Sequence, residues 1–321
     1  MSNTGSRVGT NRVPTYSAAH FAFEFSGSGQ EPDIGMFRSI EGGGIKADVM
    51  TYQQGGTYER WRQLGKPKFE DLKLQVGMAM SAPFYKWISE FFLGNPVRKN
   101  GAVIAADFSY KERARREFTD AIISEFVFPK LDGADKNTAF MNVSISVEDM
   151  KFMPGSNQPV SQTLGEESQK GWKACNFTFS MDKFECCKRV TKVDSFTIKQ
   201  TVLEYHSGGR RSPSKTPSAI EWPQLSFYLP EVDAEPLIKH FKLRGVDGAV
   251  PGLNRLHGTI DTFDNQQDHH FSVEFFNADI VAITPDKADS ASEEIKQVKV
   301  DLYIESMTFT YKDRKSLQGD F

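Results

Sequence analysis

From His20 to Gly27 the chain reads HFAFEFSG, with Phe21, Phe23 and Phe25 at every second position. Strict alternation predicts a half-buried strand. A second such run, IKADVMTY from Ile45, places Ile45, Ala47 and Val49 on one face and ends near Gly55 and Gly56, which predicts a long hairpin. KFEDLKLQVGM repeats the alternation through Phe69, Leu72, Leu74 and Val76. The period then changes. In SAPFYKWISEFFLG, Phe84, Trp87, Ile88 and Phe91 recur at three and four, Ser81 stands at the N-cap, Pro83 in the first turn and Gly94 at the end. That predicts a short amphipathic helix. AVIAADFS, REFTDAIISEFVF and FMNVSISVEDMKF return to strand patterning, the last through Met141, Val143, Ile145 and Val147. These elements predict mostly antiparallel β structure with one flanking helix, as a sandwich or small barrel.

The same plan is written twice. IKADVMTYQQGG begins at Ile45, and IKQTVLEYHSGG begins 153 residues later at Ile198. Six of the twelve positions are identical: Ile45/Ile198, Lys46/Lys199, Val49/Val202, Tyr52/Tyr205, Gly55/Gly208 and Gly56/Gly209. Chance alone matches about one position in twenty. The offset continues through Leu72/Leu225, Pro83/Pro236 and Lys86/Lys239, and DAEPLIKHFKLRG repeats the helix with Leu237, Phe241 and Gly245. Near the end the spacing becomes 157, from Phe118 to Phe275, with Ala121/Ala278, Ile123/Ile280, Glu148/Glu305, Met150/Met307 and Phe152/Phe309 in step. A duplicated domain with a net four-residue insertion accounts for both spacings. Two copies do not make a solenoid. PGSNQPVSQTLGEESQKG reads as a linker. The expected layout is an N-terminal arm over 1–17, a domain over 18–153, a linker over 154–171, a second, diverged domain over 172–313 and a tail over 314–321.

Composition narrows the chemistry. A chain of 321 residues suits two domains, and its 26 phenylalanines favour strands. The net charge of −3 supplies no global field toward nucleic acid or an anionic membrane. Cys175, Cys186 and Cys187 are odd in number and unevenly spaced, which fits free thiols better than a disulfide scaffold. The polar N-terminus does not read as a signal peptide, and no apolar run has the length of a membrane helix. None of the six histidines pairs with Cys or carboxylates at a metal spacing. EGGGIK and SGGRRS lack the phosphate-loop pattern, and no nucleophile elbow appears. The basic run YKERARRE is interleaved with acids and predicts a solvated hairpin tip or an ion-pair patch between subunits. His269 and His270 fall where a hairpin turn enters a strand. No enzyme, cofactor or metal site is expected.

The first block as a set resembles the tail-tube family of contractile phage tails and bacterial contractile injection systems. The resemblance rests on a strand running into Tyr52 and Gly55-Gly56, on Leu72, Leu74 and Gly77, on the helix with Trp87 and Gly94, on Arg98-Lys99-Asn100-Gly101, and on Phe118 and Ala121. The second block keeps Tyr205, Gly208, Gly209, Leu225, Phe275 and Ala278. It has His240 in place of Trp87, and a glycine-rich RGVDGAVPGLNRLHG in place of Arg-Lys-Asn-Gly.

The resemblance implies tube-type domains arranged six to a ring, with stacked rings around a channel for cargo or genome. Two domains per chain then imply a trimer with pseudo-sixfold symmetry, as main tube or as a tube-initiating layer. It implies partners in sheath, tube or baseplate hub, and a particle assembled in the bacterial cytoplasm. The ring-wall residues expected on this reading are Ile45, Lys46, Val49, Tyr52, Gly55 and Gly56, with Ile198, Lys199, Val202, Tyr205, Gly208 and Gly209. The alternative is a soluble tandem β-sandwich that binds a carbohydrate or protein through Trp61 and Trp222.

Overall fold

A computed structural model describes residues 17, 20–26, 34–53, 55–56, 58, 60–77, 80–160, 172–209, 212–246, 255–286 and 295–311. The first block runs β1 (His20–Phe25), β2 (Ile34–Phe37), β3 (Ser39–Gly42), β4 (Ile45–Gln53), β5 (Arg60–Phe69), β6 (Leu72–Val76), α1 (Ala82–Phe92), β7 (Lys99–Ala106), β8 (Glu112–Phe128), β9 (Leu131–Asp132), β10 (Met141–Ser146) and β11 (Asp149–Pro154). The second runs β12 (Phe177–Met181), β13 (Lys192–Val193), β14 (Phe196–Tyr205), β15 (Ser214–Glu221), β16 (Leu225–Pro230), α2 (Glu235–Phe241), β17 (Leu256–Phe263), β18 (His269–Pro285), β19 (Gln297–Tyr303) and β20 (Ser306–Tyr311). The fold is mainly β, and every ladder between these strands is antiparallel.

The long strand β8 organises the first block. Its N-terminal half lies between β7 and β11, and its C-terminal half pairs with β10. A strand that serves two sheets must turn a corner. Asp120 makes it at φ 51°, a left-handed conformation that short polar side chains tolerate, and the Asn100 side-chain oxygen accepts its N–H at 2.8 Å. β6 continues from β10, and the predicted alternation of Leu72, Leu74 and Val76 is fully inward.

The second block repeats nine of these strands, β2 and β9 having no counterpart among the described residues. The order β1-β7-β8-β10-β6-β3 in one sheet matches β12-β17-β18-β19-β16-β13 in the other. Asn277, at φ 55°, turns the corner of β18 as Asp120 does in β8. The hairpin registers agree to the residue: Lys46↔Lys68 and Tyr52↔Trp61 in the first, Lys199↔Glu221 and Tyr205↔Ser214 in the second. Each hairpin carries its bulge at the equivalent place. That bulge, between Ala47 and Val49, interrupts the single face expected for Ile45, Ala47 and Val49. The turn before each long strand is also shared. Asp107 Oδ1 accepts from the Ser109 and Lys111 N–H groups, and Asp264 Oδ1 from those of Gln266 and Asp268.

Two expectations change. Arg255-Leu256-His257-Gly258 begins the second copy of β7, so the Arg and Gly of Arg98-Lys99-Asn100-Gly101 are kept and the extra glycines are inserted ahead of them. The stretch read as a linker is docked at its start. Gly155, Asn157 and Val160 donate to the carbonyls of Arg113, Glu112 and Tyr110, and Val160 is buried with Ala22 and Ile104. Residues 161–171, the arm over 1–16 and the tail over 314–321 lie outside the described residues.

α1 begins after Ser81, with Pro83 in its first turn, and Gly94 beyond its end adopts φ 75°. Phe84, Trp87 and Ile88 face the first block, where Phe84 meets Phe23 edge-on at 5.3 Å. No helix among the described residues is long and apolar enough to cross a membrane.

Candidate assembly interface

The two blocks are interlocked. β14 belongs to the second block in sequence but pairs with the end of β8: Phe196↔Phe128, Thr197↔Val127, Ile198↔Phe126 and Lys199↔Glu125. In return β9 pairs with β13. Alternation in β14 places Phe196 and Ile198 on one face, and both are buried. Phe196 stacks on Phe128 at 5.0 Å, and Trp172 fills the space between Phe128 and Phe271. One continuous apolar core therefore runs through both blocks.

A polar clamp fixes the hairpin beside that ladder. Glu148 is buried and accepts from Arg98 Nη1 at 2.5 Å and from the Lys215 backbone N–H at 2.7 Å. Arg98 Nη2 donates to the Lys215 carbonyl at 2.5 Å, so one arginine bridges the carboxylate and the strand. The Lys215 side chain is itself buried and donates to Ser146 Oγ at 2.8 Å, near Asp71. A buried ammonium needs such partners to offset its desolvation.

α1 supplies the third contact. Its Tyr85 and Phe92 bridge the two blocks, with Tyr85 stacked on Tyr311 of β20 at 4.2 Å and Phe92 lying 5.6 Å from Phe309 of β20 and 5.2 Å from Phe126 of β8. Ser89 Oγ donates to the Phe309 carbonyl at 2.8 Å. The Tyr85 hydroxyl donates to the Gly77 carbonyl. Burial, and then Tyr311, pushes Tyr85 well above the usual phenol range.

The expected wall residues divide unevenly. Ile198 lies inside the joint and Val202 at its margin, while Lys199, Tyr205, Gly208 and Gly209 are exposed. In the first copy Ile45, Lys46, Val49, Tyr52, Gly55 and Gly56 are all exposed, on a hairpin that, among the described residues, forms its own two-stranded sheet. Lys46 is tied to Glu70, whose carboxyl it draws below the usual range by hydrogen bond and charge. Lys68 of β5 meets Glu204 of β14 at 3.2 Å, so the two hairpins adjoin. Trp61 projects from the first hairpin, whereas Trp222 packs near Phe92 at the base of the second; the structure does not bring them together.

YKERARRE is not a solvated tip: from Glu112 onward it lies in β8, buried or half-buried. Arg113 pairs with Asp107 at 2.7 Å and Arg115 with Glu24 at 2.8 Å, within the chain. Cys187 is buried and free, and burial raises its thiol pKa. Among the described residues no group of three or more His, Cys, Asp or Glu side chains could hold a metal ion. The sequence reading missed Lys215, which looks like any hairpin lysine. The repeated pairs Arg98/Arg255 and Glu148/Glu305 were the signal that this site recurs.

Comparison with known proteins follows the block structure. Residues 17–151 match the family model described as T4-like virus tail tube protein gp19. No curated protein matches the chain. Solved structures similar to it include a chain of the anti-feeding prophage baseplate, 6-fold symmetrised, at 13% identity and TM-score 0.32, covering 42% of this chain and 91% of that one. A chain of the sheath-tube complex of an extracellular contractile injection system, PVC, in the extended state has 14% identity and TM-score 0.34, covering 43% and 89%. A mutant form of the Hcp1 protein from the E. coli EAEC 042 pathovar has 18% identity and TM-score 0.24, covering 37% and 75%.

Proposed function

We propose that this protein is a structural component of a contractile tail or injection machine, and that three chains close a ring of six tube-type blocks around a channel. The match of residues 17–151 to a tail-tube family motivates the setting. The observation that carries the ring is the joint between the blocks. A joint made by a hairpin of one block lying on the long strand of the next is head-to-tail, and a head-to-tail contact generates rings when its rotation closes. Each chain contains one such joint and repeats both of its sides. Divergence of the two blocks favours a layer that joins a threefold hub to a sixfold tube, with sheath, tube or baseplate proteins as neighbours and cargo or genome in the channel. On this reading blocks 18–153 and 172–313 are the two tube-type domains, the chain works without a catalytic centre, and it acts inside a phage tail or injection particle assembled in the bacterial cytoplasm.

Negative-stain electron microscopy of the purified protein tests this. Rings with three or six lobes support it, and a field of isolated monomers at high concentration contradicts it.

A further inference from the structure

The repeat makes a residue-by-residue comparison possible between surfaces that are covered within the chain and their copies that are not. Ile198 is fully buried against β8, while its counterpart Ile45 is 55% exposed. Phe309 is 2% exposed beneath α1, while its counterpart Phe152 on β11 is 55% exposed. Lys215 is buried in the clamp, and its counterpart Arg62 is exposed. On the receiving strand Phe126 and Phe128 are fully buried, and their counterparts Ile283 and Pro285 are half-buried and exposed. In each pair the second member is the more exposed, although Arg116 lies over the Phe152 ring and Ile283 packs on the core with one side.

Receiver and clamp are also present in the second block. β18 from Ala282 to Pro285 pairs with β19 along one edge, as the end of β8 pairs with β10. No described strand occupies its other edge, the one that β14 covers on β8. Arg255 is ion-paired to Glu305, as Arg98 is to Glu148, but both side chains are substantially exposed.

We infer that a second copy of this chain docks its β4–β5 hairpin on that edge of β18, in the register that β14 uses on β8. Carried through the repeat spacings, Ile45 pairs with Ile283 and Lys46 with Ala282 of the second copy, and Pro285, which has no N–H, ends the ladder. Arg62 takes the place of Lys215. Its N–H donates to Glu305 and its carbonyl accepts from Arg255. Its side chain meets Tyr303 and Gln224 where Lys215 meets Ser146 and Asp71, and a guanidinium over a tyrosine ring is a favourable exchange. On the other side of the joint, α2 covers β11 of the neighbouring copy and buries Phe152, as α1 buries Phe309. A strand edge and two exposed apolar side chains, Ile45 and Phe152, are covered together by one contact. The occupant is this chain itself because only the repeat supplies both complementary surfaces.

The proposal rests on the ring reading, and the test separates the two. A double variant, Ile45→Cys with Ile283→Cys, is oxidised and run on a non-reducing denaturing gel beside each single variant, which accounts for Cys175, Cys186 and Cys187. Cross-linked multimers ending at three chains, lost on reduction and absent from the singles, are expected. Asp48→Cys with Ile283→Cys, three residues out of register, should give at least tenfold less. Rings by microscopy without the Ile45–Ile283 cross-link, or with equal cross-linking out of register, overturn the joint and leave the ring. Absence of any self-association overturns both. Ile45→Arg supplies a second readout: its side chain is exposed, so the folded monomer should keep its melting midpoint while multimers disappear. Retention of rings by Ile45→Arg overturns the joint.

Discussion

Ile45 and Ile198 hold the same position in two copies of one hairpin, yet Ile45 is open to solvent and Ile198 is fully buried opposite Phe126. The difference predicts unequal costs. Ile198→Ala should destabilise the isolated chain by about 2–5 kcal/mol, the range for truncating a buried aliphatic side chain. Ile45→Ala should stay within about 0.5 kcal/mol, as for an ordinary surface change. Urea unfolding of both variants at a concentration where the chain is dispersed checks the contrast. Equal costs would mean that Ile198 is not held in the joint.

The clamp around Glu148 predicts a local effect. Glu148→Gln keeps the shape but removes the charge that Arg98 and the Lys215 N–H share, costing about 1.5–3 kcal/mol, as for a hydrogen bond to a charged group. Hydrogen exchange should accelerate in β14 and β15 while β6 and β10 keep their protection. Uniform acceleration along the chain would argue that the hairpin and the first block open as one unit.

Gly101 and Gly258 make the same close approach in the two blocks. A methyl at Gly101 would overlap the Glu24 carbonyl and come within 2.7 Å of the Phe118 ring. At Gly258 it would overlap the Phe275 ring and lie 2.5 Å from the Ser180 carbonyl. Gly101→Ala and Gly258→Ala should each cost about 1–3 kcal/mol, the usual range for overpacking. Thermal midpoints measured side by side check this, and an unchanged midpoint for either would contradict the packing.

Asp107 predicts an acid-dependent term. The Lys111 backbone N–H and then the Arg113 guanidinium hold its carboxyl below the usual aspartate range. A folded-state pKa below the unfolded one stabilises at neutral pH, and the contribution is lost as pH falls through the folded value. Asp107→Asn should therefore melt lower than the parent at pH 7, and the two curves should converge below the usual aspartate pKa of about 3.9. Parallel curves from pH 7 to pH 2 would contradict the assignment.

Much of this architecture is legible in the sequence because its signals are local. Alternation marks β1, β6 and β10, the three-four spacing marks α1, and matched residues expose the duplication. The joint is not legible, because it depends on which edge a strand finds. Ile45 and Ile198 sit in nearly identical words and end in opposite surroundings. Lys215 lies in a polar hairpin and becomes buried only because Glu148 and Ser146, far away in the chain, meet it there. The kept Arg255 and Gly258 were hidden by the insertion that shifts the repeat spacing from 153 to 157 just before them. The docked residues 155–160 have linker composition and are held mainly by backbone hydrogen bonds, which composition does not report.

Native mass spectrometry of the full chain tests the central claim most directly. The account predicts a dominant species of three chains that falls to one chain in Ile45→Arg. A dominant monomer at micromolar concentration, or a two-chain species unaffected by that substitution, would contradict it.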